Sequence, residues 1–248
     1  MTKEKDYLRM VDGAAKAKPT LPSIVSQIKD SSSSILSSHL ETLFSSCDDL
    51  FFDLSSRAAS NNEQNLYFES MREVRLKKNG FIDNFINGLN KYFYQLFDTS
   101  NQSNPDKDIK RHQSELDHST LSLVQNDALE QNVALSSMVS KARKNSQESL
   151  YHLNLRFDYL SPSTLVTENN NPLDPQQVCE AFSTACEILD INIKARIIIF
   201  KQFDRYVASK LATVYSSANG LLINAGISNL SLVKKVRNIP SALKMIAV

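Results

Sequence analysis

Residues 193–215 read IKARIIIFKQFDRYVASKLATVY, and their reading decides the fold. The run Ile197-Ile198-Ile199-Phe200 is rich enough in β-branched side chains to suit a strand. Its surroundings argue otherwise. Ile193, Ile197, Phe200, Phe203 (or Asp204), Val207, Leu211, Val214 and Tyr215 recur at three- and four-residue intervals, well beyond the length of an ordinary strand. The stretch predicts a helix, with Gly226 as the C′ residue and Ile227 after it.

Upstream, Asp174-Pro175-Gln176-Gln177 offers a capping carboxylate, proline at the first helical position and glutamine at the third. Val178, Ala181, Phe182, Ala185 and Leu189 then give a buried face. Nearer the N-terminus, Leu40, Leu43, Phe44, Cys47, Leu50, Phe51, Leu54 and Ala58 line one side of a helix. Asn61 and Asn62 interrupt it. A second helix begins near Glu63, with Leu66, Phe68, Met71, Val74, Phe81, Phe85, Leu89 and Phe93 on its apolar side. Gly80 is expected to kink or break it. Asp127 with Glu130 resembles a capping box that opens a further helix, and Leu150, Leu153, Phe157 and Leu160 mark the next.

The chain is therefore read as all-α, a long amphipathic helical hairpin followed by a C-terminal helical bundle. Residues 1–38, with the serine run Ser31 to Ser34, are expected to form a weakly ordered N-terminal arm. Residues 39–98 form the hairpin, 99–125 a polar loop, 126–230 the bundle and 231–248 a basic apolar tail. From Ser231 onward that tail holds four basic side chains and no acidic one.

Composition agrees and excludes much. Five glycines in 248 residues fall far below the ~7 % average, and neither GxGxxG nor GxxxxGK[ST] occurs, so phosphate-cradling loops are not expected. A net charge of +1 gives no global pull toward nucleic acid or anionic lipid. Three cysteines make no disulfide framework and read as buried thiols of a cytoplasmic protein. The charged start lacks a secretory signal, and no apolar run reaches the ~18–20 residues of a transmembrane segment.

Individual constellations are weak as chemistry. Asp48, Asp49 and Asp53 form DDxxxD, near the DDxxD of magnesium-diphosphate helices, but no second motif accompanies it. An Asp49, Asp53, Arg57 ladder on a solvated face fits better. Cys179 and Cys186 lack further ligands for zinc, and Cys47 points away from His39 on its helix. His112, His118 and His152 lack metal-site spacing, and there is no GxSxG elbow. Neither a metal nor a cofactor is expected.

The more informative cluster is Arg72, Arg75, Lys77 and Lys78 beside Tyr67 and Phe68. Guanidiniums could hold phosphates while a ring stacks on a base. Glu69 and Glu73 partly neutralise this patch, which favours a salt-bridge network. Asn61, Gln64 and Asn65 could bind a partner's backbone or simply separate two helices. The candidate contacts for a partner or a phosphate are Asn61, Gln64, Tyr67, Arg72 and Arg75.

Asp48-Asp49-Leu50-Phe51, Asn61, Glu63-Gln64-Asn65, Tyr67-Phe68-Glu69 and Met71-Arg72-Glu73-Val74-Arg75 resemble the opening of the bacterial "domain of unknown function 1631" family. Asn171-Pro172-Leu173-Asp174-Pro175, Cys179, Phe182, Phe200, Phe203-Asp204, Tyr215, Asn219, Leu222 and Gly226 are similar to later parts of that family. Its members usually continue for several hundred residues, so the resemblance implies an N-terminal portion of a longer chain. Some members carry the label thymidine phosphorylase. That enzyme's sites lie in an α/β domain with glycine-rich loops, and this sequence has neither.

Three functions are expected in descending order. The first is a non-catalytic interaction or regulatory module, bound near Tyr67 to Arg75 or through the tail by a protein partner or by the remaining C-terminal region. The second is a nucleotide- or nucleic-acid-responsive module using Arg72 and Arg75. The third is a magnesium-dependent helical enzyme.

Overall fold

The computed structural model describes residues 21–97, 124–161 and 164–228. The described residues form seven α-helices and no strand: α1 (Ser23–Ser56), α2 (Asn61–Phe97), α3 (Val124–Asn145), α4 (Gln147–Leu160), α5 (Pro175–Ala185), α6 (Ile193–Tyr206) and α7 (Leu211–Asn224). Single 3₁₀ turns at Cys186–Ile188 and Ala208–Lys210 follow α5 and α6.

α1 and α2 form the expected antiparallel hairpin. Phe44 meets Phe81 edge to face at 5.1 Å, Arg75 holds Asp48, and Gln64 reaches Ser55 near the turn. The C-terminal helices pack directly on this hairpin. Ser31 Oγ lies 3.0 Å from Ser217 Oγ, and His39 Nε2 lies 3.2 Å from Thr213 Oγ1. Ser46 Oγ donates to Tyr206 Oη at 3.1 Å, so α1 runs antiparallel to α6 and α7 together. Phe182 of α5 sits at the centre, stacked on Phe203 at 3.7 Å and edge-on to Phe81 and Phe200.

Four expectations need correction. α1 begins at Ser23 instead of near residue 39, and Val25, Ile28, Ser32 and Leu36 are buried. Serine's weak helix propensity is overridden because its small side chain lets α7 approach, and tertiary burial dominates propensity. Residues 1–20 of the expected arm lie outside the described residues. Gly80 does not break α2, which runs unbroken from Asn61 to Phe97. The buried row Val74, Phe81, Phe85 keeps helical register across it, and that packing outweighs the ~1 kcal/mol cost of one glycine.

α3 starts at Val124, so Asp127 lies inside the helix and is not its cap. The 193–215 stretch is helical as read, but it divides at Val207 into α6, a 3₁₀ turn and α7. The tightened turn keeps Phe203, Val207, Leu211 and Val214 buried on one side. The expected loop falls largely within residues 98–123, and the tail within 229–248; both lie outside the described residues.

The caps follow the sequence closely. Asp174 accepts from Gln176 N at 2.8 Å. Gln177, however, donates to the Asn169 carbonyl instead of closing a capping box. Gly226 has φ 85°, its N–H donates to Ile223 O, and Ile227 N–H donates to Leu222 O. These bonds form a Schellman motif.

Candidate functional site

The five residues proposed from sequence all lie on α2, and the structure distributes them unequally. Gln64 Nε2 donates to the Ser55 carbonyl at 3.3 Å and ties the two arms of the hairpin. Tyr67 is buried, its ring stacked on Phe51 with centroids 6.5 Å apart. Its hydroxyl donates to Glu63 at 3.4 Å, and burial followed by the Glu63 charge raises its pKa. The ring is therefore not presented for base stacking. Arg75 Nε donates to both Asp48 oxygens at 2.7 and 2.8 Å, a clasp across the hairpin. Asn61 and Arg72 are exposed, and Arg72 makes no ion pair among the described residues.

Lys77 of this patch is also occupied. Lys77 Nζ lies 2.6 Å from Glu73 Oε1 and donates to the Ile188 carbonyl at 2.7 Å. Glu73 Oε1 in turn accepts from Asp190 N–H at 2.9 Å. The Lys77 bond, and then the Asp190 amide, hold the Glu73 carboxyl below its ordinary pKa. This network anchors the connection between α5 and α6 on the hairpin. Nearby, a cleft of about 340 Å³ is lined by Asn62, Asn65, Glu69, Asp190 and Asn192.

Three large apolar side chains on the hairpin face outward. Phe52 is 59 % exposed and Leu76 71 %, and Phe68 is also exposed. Phe68, Arg72 and Leu76 are four residues apart and so share one side of α2. Phe52 is one turn from Asp48, on the side of α1 that carries the Arg75 clasp. The clasp thus aligns Phe52 and Phe68 along the same edge of the hairpin. Phe52 and Leu76 were missed because they fall outside the apolar rows Leu50-Phe51-Leu54 and Met71-Val74. An apolar residue off its own helix's periodic set was the available signal.

A second polar group surrounds the Asn171-to-Pro175 turn. Asp174, besides capping α5, pairs with Arg143 of α3 at 2.7 Å, and Arg143 also meets Glu168 at 3.2 Å. Burial pushes the Asp174 carboxyl up, while Arg143 and the Gln176 amide pull it down. Asn171 accepts from Leu173 N–H and donates to Asn154. Tyr215 Oη donates to the Leu173 carbonyl at 3.0 Å. Every one of these bonds is internal, so the group fixes a turn.

The other constellations stand apart. Asp53 pairs with Arg57 and Asp48 with Arg75. Among the described residues no three His, Cys, Asp or Glu side chains group as metal ligands. All three cysteines are free and buried, and burial pushes the Cys47 and Cys179 thiols up to about 12. Among the described residues, no helix is long and apolar enough to cross a membrane.

No curated protein and no solved structure matches the chain. A family does. The description "Protein of unknown function (DUF1631) N-terminal domain" matches residues 20–226, a span that starts just before α1 and ends at the Gly226 cap. With most of its length covered by that match, the chain belongs to the DUF1631 family.

Proposed function

We propose that this domain is a non-catalytic interaction module whose outer hairpin face, Phe52, Phe68, Arg72 and Leu76, receives a protein partner. The observation that carries this reading is the exposure of three large apolar side chains around an arginine with no ion pair among the described residues. Such anchors, aromatic and arginine together, are the residues that dominate protein interfaces. The partner that suits them presents apolar side chains with a carboxylate placed for Arg72. A cytoplasmic setting goes with this reading, since all three cysteines are free.

A phosphate-binding role for Arg72 and Arg75 has less behind it. Asp48 already occupies Arg75, and Tyr67 is turned inward. A magnesium enzyme has less still, because Asp48 and Asp53 are both engaged by arginines.

The test is affinity capture from the native host with the wild-type domain and with Phe68→Ser/Arg72→Glu. A protein retained by the wild type and lost from the variant, at unchanged thermal stability, supports the reading. Equal retention by both, or capture of nucleic acid that high salt releases, overturns it.

A further inference from the structure

A second exposed row lies on α4, on the other side of the molecule's sequence from the hairpin. Tyr151, Leu155 and Tyr159 recur every fourth residue and share one side of the helix. Tyr151 is 59 % exposed, while Leu150, Leu153 and Phe157 on the opposite side are buried. Ile223 of α7 is also exposed, at 48 %. It follows by one turn Asn219, whose Nδ2 donates to the Ser149 carbonyl at 2.9 Å and whose Oδ1 accepts from Arg156. Asn219 thus fixes the seam between α4 and α7.

The chain leaves the folded domain at this seam. Gly226 turns it out of α7, and Arg156 Nε donates to the Ile227 carbonyl at 3.2 Å. Residue 228 is therefore delivered beside Arg156, the chain neighbour of Leu155 on α4. Charge points the same way. Residues 229–248 contain Lys234, Lys235, Arg237 and Lys244 and no acidic side chain, among apolar residues such as Leu232, Val233 and Val236. α4 carries Glu148 on the exposed row.

Tyr151 lies only five residues along α4 from Arg156, under 10 Å at ~1.5 Å per residue. The segment easily spans that distance, at ~3.3 Å for each extended residue. Because the segment is tethered at the seam, its effective concentration there is high, on the order of millimolar for a short link.

We propose that the α4 row of Tyr151 and Leu155, with Ile223, is the seat of the chain's own segment 229–248, apolar side chains covering the row and basic ones meeting Glu148. This seat is separate from the hairpin face.

The test is amide hydrogen exchange on the full 248-residue chain, comparing wild type with Leu155→Asp and with Glu148→Lys. Docking predicts exchange in 229–248 at least tenfold slower in wild type than in Leu155→Asp, and an intermediate loss of protection in Glu148→Lys. Amides of α2 and α5 report that each variant is folded. Equal exchange of the segment in wild type and Leu155→Asp overturns the proposal. So does protection that appears only as the protein dimerises, which would make a second copy the occupant. Binding of the wild-type segment to vesicles one-third phosphatidylserine, with exchange on α4 unchanged between bound and free chain, also overturns it, in favour of a lipid surface.

Discussion

Arg143 Nη2 lies 2.7 Å from Asp174 Oδ1, an ion pair that ties the end of α3 to the start of α5. The carboxylate has no exposure to solvent and serves two partners, since it also caps Gln176 N–H. Removing the guanidinium leaves a buried charge with only the cap to hold it. Arg143→Met is expected to cost about 2–3 kcal/mol, below the ~3–5 kcal/mol of a fully buried pair because Arg143 keeps part of its side chain in water. Asp174→Asn in the Arg143→Met background should recover part of that loss. Urea unfolding of both single variants and the double variant measures the coupling.

Tyr215 is wholly buried, and its hydroxyl supplies the bond to the Leu173 carbonyl. Tyr215→Phe keeps the ring and strands that acceptor. A loss of about 1–2 kcal/mol is expected in chemical denaturation.

Cys47, Cys179 and Cys186 are buried, and burial raises all three thiol pKa values. At pH 8 the folded protein should leave Ellman's reagent essentially unreacted, since neither thiolate nor access is provided. Unfolding in guanidinium should release all three thiols. Rapid labelling of the native protein would contradict the packing described.

Glu73 has a lowered carboxyl pKa in the fold because Lys77 and the Asp190 amide favour its charged form. The unfolded chain therefore takes up this proton at a higher pH than the folded chain does. The stabilisation is complete above the unfolded value near 4.5 and is lost as pH falls through the folded value. Glu73→Gln should flatten that part of the stability–pH curve, measured as Tm between pH 3 and 6.

Two interior helical glycines differ in the room they leave for a side chain. A Cβ on Gly220 meets nothing within 4 Å, so Gly220→Ala should stabilise by about 0.5–1 kcal/mol. At Gly88 the Ala181 Cβ already stands 3.4 Å from the added atom. Gly88→Leu should force α2 from α5 and cost about 1–3 kcal/mol. Thermal melts of the two variants provide the comparison.

Helix identity was legible wherever one face stays buried over many turns. The row Leu40 to Leu54, the helical identity of Ile193 to Phe203, the Asp174 cap and the Gly226 terminus all obey local rules, and the structure follows them. Local rules failed where distant helices intervene. The serines of early α1 read as loose until α7 is placed against them, and Gly80 reads as a break until the continuous face of α2 is packed. The candidate site was half legible. Arg72 and Arg75 look equivalent in sequence, and only Asp48, 27 positions before Arg75 in the chain, separates a clasped arginine from an open one. Asn192 caps α6 through a 2.9 Å bond from Lys194 N–H, and it stands immediately before the stretch read from Ile193.

The meeting of Ser31 with Ser217 has a consequence for how the protein comes into being. The two residues are 186 positions apart, so at ~5–20 residues per second a ribosome needs about 10–40 s to deliver the second after the first. Throughout that interval the apolar side of α1 that α6 and α7 will cover has no native partner. A newborn chain is accordingly exposed to self-association or chaperone capture until α6 and α7 emerge. For the same reason, severing the polypeptide between α2 and α3 should yield two sticky halves, each missing the surface that would keep it in solution.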